Sequence, residues 1–165
     1  MSGLRAAGLA AVLGLAAATV AAATVAAATP QYADGAAIFS ANCAVCHGAA
    51  GAGTPALAPP LLSNPARYAT LPEGRRQLAM TVLYGLFGDI TVEQKHYNFK
   101  MPEFPQLDDQ KIAAVLNFVA FDLAHAAPEL KAISAEEIAA EREQGLDGAA
   151  VREHRAKVLE ALGGG

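Results

Sequence analysis

The sequence predicts an all-α protein with a helical extension at its C-terminus, and three observations carry that reading. Ile112, Val115, Leu116, Val119 and Leu123 recur at the spacing of one helix face. Ser134-Ala135-Glu136-Glu137 has the form of a capping box, which opens a further helix. Between these and the N-terminus no segment reads as a strand of consequence.

Composition narrows the classes before any motif is considered. The chain has 165 residues, 53% hydrophobic and 17% charged, with a formal charge of −4. It is too short for more than one ordinary domain with appendages, and it is neither a charge-rich disordered chain nor a basic nucleic-acid binder. The apolar excess is uneven. Residues 6–29 contain 13 alanines and no charge. With Met1-Ser2-Gly3-Leu4-Arg5 before it, this run reads as residues 1–28 of a signal peptide, with A-x-A sites ending at Ala23 or Ala28. The competing reading is an uncleaved anchor, since the run approaches the roughly 20 residues of a bilayer span. Either way the remainder is exported, and the expected location is the periplasm. Loss of Arg5 with the leader leaves 11 basic and 16 acidic residues.

The first helix is expected over residues 35–42, with Asp34 as its N-cap and Gly35 and Phe39 stacked on one face. Directly after it stands Cys43-Ala44-Val45-Cys46-His47. In an oxidising compartment two cysteines suggest a disulfide, but a redox disulfide at this spacing belongs in a βαβ context, which is missing here. A zinc site would lack its other ligands. C-x-x-C-H is the attachment signal for one c-type haem: two thiols add to the vinyl groups, and the adjacent imidazole lies under the iron.

A second axial ligand is then sought among Met80, Met101, His96, His125 and His154. Met101 lies before Pro102 in an aromatic- and proline-rich loop that can drape over a haem face. Met80 sits inside a helical segment expected over 73–87 and reads as core filler. His96 is the bis-imidazole alternative. His125 lies near a helix end and His154 on a charged face. The last helix of the domain is expected to be capped by Asp108 or Asp109 and stopped by Pro128. Residues 129–165 follow as the extension, with a second helix starting near Asp147.

Residues 32–125 resemble a class I cytochrome c, through Gly35 and Phe39 before the motif, Ala58-Pro59-Pro60-Leu61 after it, Lys100-Met101-Pro102, and the helix containing Ile112 to Val119. The resemblance implies a cytochrome c domain over 29–128, its helices wrapped around one covalent haem with His47 and Met101 as iron ligands. It implies that the Pro59 carbonyl, or that of Pro60, accepts the Nδ1 proton of His47. Leu61 would pack on the ring, and Gly35 and Phe39 would cross the last helix near Val115 and Phe118. Arg67, Tyr68, Arg75, Arg76 and Tyr84 lie in the segment that meets the propionates in similar proteins, and Arg76 and Tyr84 are the candidates taken from it.

Two filled axial positions imply an electron carrier rather than an enzyme. Val82-Leu83-Tyr84-Gly85-Leu86 and Tyr97-Asn98 are similar to bacterial monohaem cytochromes that accept electrons from a periplasmic dehydrogenase or feed an oxidase. The expected donor is therefore a periplasmic dehydrogenase, and the expected acceptor a cytochrome oxidase or another cytochrome. The partners include no nucleic acid, and a membrane only if the leader stays on. The alternatives are a haem subunit of a dehydrogenase or oxidase complex, or a small-ligand sensor or peroxidase in which Met101 dissociates. The extension reads as a solvated helical segment, folded against the cytochrome domain or partly disordered, or as a docking element for a partner dehydrogenase or oxidase.

Overall fold

A computed structural model describes residues 31–164. The signal-peptide reading of residues 1–28 lies outside the described residues. Within them the chain is all-α apart from one short hairpin, as expected for the cytochrome c fold. Its elements in order are α1 (Ala33–Asn42), α2 (Ala44–His47), α3 (Asn64–Ala69), α4 (Pro72–Tyr84), β1 (Ile90–Val92), β2 (Lys95–Tyr97), α5 (Asp109–Asn117), α6 (Ala135–Arg142) and α7 (Gly148–Ala161). A π-helical segment, Phe118–Leu123, continues α5. No described helix is long and apolar enough to cross a membrane.

α1 crosses α5 at Gly35. A Cβ there would stand 2.1 Å from the Ala114 carbonyl oxygen, so only glycine permits the approach. One turn later Phe39 meets Phe118, their ring centroids 5.4 Å apart in a tilted arrangement. The crossing is the one that the resemblance to cytochrome c implies. The cap is not: α1 starts at Ala33 and Asp34 lies in its first turn, where a carboxylate favours the helix dipole without capping it.

α5 is capped as a local reading predicts, with the Asp108 carboxylate accepting from Lys111 N at 2.8 Å. α4 begins at Pro72 and ends at Tyr84, three residues before the expected end, because Gly85 adopts φ 73°, ψ −172°. That backbone region is open essentially to glycine alone and cannot continue a helix. The helix α3 and the hairpin are absent from the sequence reading. β1 and β2 pair antiparallel, with Val92 opposite Lys95. The two-residue turn between them, Glu93-Gln94, has both φ values positive, at 49° and 63°.

Of the two forms expected for the extension, the structure shows the one folded against the domain. Ile133, Ile138 and Val158 belong to the same buried cluster as Leu78, Ile112 and Leu116. Ile138 is 0% exposed and Val158 2%. The segment leading to α6 is held by Asn117, whose amide donates to Ile133 O at 2.9 Å and accepts from Ile133 N at 2.7 Å. The expected capping box is present: Glu137 N donates to the Ser134 hydroxyl while Ser134 N donates to the Glu137 carboxylate. α7 starts where expected, with Asp147 accepting from Ala149 N and Ala150 N. Polar contacts fasten the outer side. Arg75 makes a two-pronged pair with Glu137, and Arg142 pairs with Asp109 at 2.8 Å.

Candidate functional site

α1 delivers the chain directly into the motif. Cys43 follows its last residue, and His47 ends the four-residue α2, where Gly48 turns the backbone away. The loop then folds back, so that Gly53 N donates to His47 O at 2.8 Å and Leu61 N to Gly51 O at 2.8 Å. This return brings Pro59 against the imidazole. His47 Nδ1 stands 2.9 Å from Pro59 O, and a carbonyl can only accept, so the proton is on Nδ1 and Nε2 keeps its lone pair. Burial lowers the His47 pKa, and the bond to Pro59 opposes the shift only in part. The ring is therefore neutral at physiological pH, the form that ligates a metal.

No disulfide joins Cys43 and Cys46. Burial, with a smaller contribution from neighbouring Cys46, pushes the Cys43 thiol up to about 11. Among the described residues no three His, Cys, Asp or Glu side chains come together as a metal site.

Cys43, Cys46 and His47 line a cavity of about 450 Å³, within the range of roughly 300–1,000 Å³ for cofactor-sized ligands. Pro59 and Leu61 line it as well, and so does Met101. Met101 is positioned by its backbone. Its N–H donates to Leu86 O at 3.0 Å, and Leu86 N donates to Met101 O at 3.1 Å. The prolines around it and this two-way bond hold the loop without a helix. Val45 and Phe99, 82% and 58% exposed, also belong to the lining, so the cavity reaches solvent at an apolar rim.

Met80 is 1% exposed and packs with Leu86 and Val151, which is the core role read from sequence. His96 is exposed on β2, and His154 contacts Gln77 Oε1 at 2.7 Å and Glu73 Oε2 at 3.1 Å. Neither lines the cavity, and nor does His125.

The two propionate candidates are corrected. Arg76 turns outward to Glu141 and Glu73, and the Tyr84 hydroxyl lies 2.7 Å from the carbonyls of Glu141 and Arg142. Both fasten α4 to the extension, and neither lines the cavity. A different polar pair does: Tyr68 of α3 and Arg155 of α7, 7% and 9% exposed. The Tyr68 hydroxyl is buried without a hydrogen-bond partner. Tyr68 was legible as one of five candidates, but Arg155 was missed. The available signal was an arginine inside an apolar stripe, since Arg155 falls between Val151 and Val158 on the buried face of α7.

These residues fit a covalent haem. An apolar cavity carries two cysteines and an imidazole at its edge, the Met101 thioether in its wall, and a buried hydroxyl without a protein partner. A family model described as cytochrome c matches residues 32–120. Two relatives, both cytochromes c-552 of Thermus thermophilus, are 47% identical to the chain over 88 residues. The match spans 53% of this chain and 66% and 59% of the relatives' lengths.

Proposed function

The chain belongs to the cytochrome c family, whose members carry a covalent c-type haem, and on that premise we propose that it is a single-electron carrier with His47 and Met101 as axial ligands. The supporting observation is that His47 and Met101 line one apolar cavity while the Pro59 carbonyl leaves Nε2 of His47 free to ligate. When bound, the haem supplies a one-electron iron couple whose potential is raised by thioether ligation.

The residues do the rest. Cys43 and Cys46 form the thioether links. Pro59 fixes the imidazole orientation and increases its donor strength. Leu86 holds the Met101 loop at the cavity wall. Leu61, Val82 and Leu116 keep water from the site, and a packed helical shell limits rearrangement when charge changes. The exposed rim at Val45 and Phe99 is where an electron enters or leaves.

Export to the periplasm, a dehydrogenase as donor and an oxidase or another cytochrome as acceptor are parts of this proposal. The test is spectroscopic. The ferric holoprotein should show the weak near-infrared sulfur-to-iron charge-transfer band, and Met101→Ala should abolish it and lower the potential. An unchanged spectrum in Met101→Ala, or rapid binding of CO by the native ferrous protein, overturns the assignment in favour of an open-site haem.

A further inference from the structure

The wall of the cavity contains a hydroxyl without a hydrogen-bond partner and a guanidinium without a counter-ion among the described residues. The Tyr68 hydroxyl is buried and has no partner. Burial raises its pKa, so it stays a protonated donor, although the nearby Arg155 guanidinium opposes the shift. Arg155 is 9% exposed, donates Nη2 to Thr91 O at 3.2 Å, and meets no carboxylate among the described residues. A guanidinium has five N–H donors and a fixed positive charge, and burying one without an anion is costly. A buried hydroxyl donor beside a buried unpaired cation is a complementary seat for a carboxylate, which accepts from both.

We propose that Arg155 and Tyr68 together form the seat of a haem propionate, so that the C-terminal extension contributes a cofactor-binding residue. The inference rests on haem attachment at Cys43 and Cys46 and is independent of the identity of the second axial ligand. It gives α7 a role distinct from a solvated appendage and from a docking element. Glu73, Gln77 and His154 form a separate polar group between α4 and α7, and Glu160 lies near the outer side of Arg155 in a shallow surface depression. Neither arrangement places a carboxylate on the guanidinium.

The experiment is the reduction potential of the holoprotein as a function of pH, in the native chain and in Arg155→Met, Arg155→Lys and Tyr68→Phe. A carboxylate seated on Arg155 titrates at acid pH. The ferric form favours its ionised state more than the ferrous form does, so the potential falls with pH only in that acid window. Arg155→Met should lower the potential at neutral pH and move the pH-dependent segment upward by about 1–3 units. Arg155→Lys, which keeps the charge, should restore most of the native profile, and Tyr68→Phe should give a smaller upward shift. If Arg155→Met fails to fold, the Tyr68→Phe and Arg155→Lys profiles decide the matter. Profiles that coincide with the native one in every folded variant overturn the seat. The near-infrared band, followed in the same samples, reports Met101 ligation separately, so failure of the seat and failure of the ligand assignment are distinguishable.

Discussion

Gly35 and Ala114 approach so closely that the space for one methyl group on Gly35 is already taken by the Ala114 carbonyl oxygen, 2.1 Å from where that carbon would lie. Neither partner can give way cheaply, because both are helix backbone. Gly35→Ala should force α1 and α5 apart and lower the stability of the holoprotein by about 3 kcal/mol, at the upper end of overpacking costs. Thermal unfolding followed at a haem band measures this. A variant as stable as the native chain would mean that the helices do not cross at this residue.

Gly85 controls the Met101 loop in a similar way. A Cβ at Gly85 would stand 2.4 Å from the Met101 carbonyl oxygen, and the φ of 73° is itself unfavourable for alanine. Gly85→Ala should break the two-way bond between Leu86 and Met101 and weaken thioether ligation. The expected signs are loss of intensity in the near-infrared band and a lower potential, with Cys43 and Cys46 still holding the haem. A full-strength band would show that the Leu86 bond does not position the ligand.

Asn117 closes the joint between the domain and its extension. Its side chain satisfies both backbone groups of Ile133 in a buried setting. Asn117→Ala leaves two buried groups without partners, at about 1–3 kcal/mol each. A loss of about 3 kcal/mol in denaturant unfolding is expected, with proteolysis beginning between residues 124 and 134. A loss below about 1 kcal/mol would indicate that water or a local shift replaces the amide.

The capping box gives the extension an acid limit. The Arg75 guanidinium, followed by the bond from Ser134 N, holds the Glu137 carboxyl below its ordinary value. A depressed carboxyl contributes stability that is complete above the unfolded value of about 4.3 and disappears as pH falls through the lower folded value. The Glu137 side chain is 39% exposed, so screening keeps the pair to about 1 kcal/mol. Glu137→Gln should therefore be less stable than the native chain at pH 7, and the difference should shrink as pH falls below about 4. Parallel melting-temperature curves across that range would exclude the linkage.

What could be read from the sequence was local or chemically singular. Cys43, Cys46 and His47 declare their chemistry at fixed spacing, and Asp108, Ser134 and Asp147 cap within three residues of themselves. The crossing at Gly35 and the Pro59 bond followed from resemblance, since neither could be derived from pattern alone. The hairpin was invisible because its turn, Glu93-Gln94, takes a backbone form usually signalled by Asn-Gly. Arg76 and Tyr84 were misplaced because their partners, Glu141 and Arg142, lie more than fifty residues away on helices read as an appendage. Arg155 failed for the same reason. An arginine on a helix face reveals nothing of the cavity wall it completes until the tertiary arrangement of α7 is known.

The shared core also sets an order of events. With Ile138 and Val158 packed beside Leu78 and Ile112, the hydrophobic interior is incomplete until α6 and α7 are in place. Domains often fold as they emerge, N-terminal part first; here α6 and α7 contribute to the same core as α4 and α5. Docking of α7 then completes the cavity wall at Arg155, more than one hundred residues from the motif that opens it.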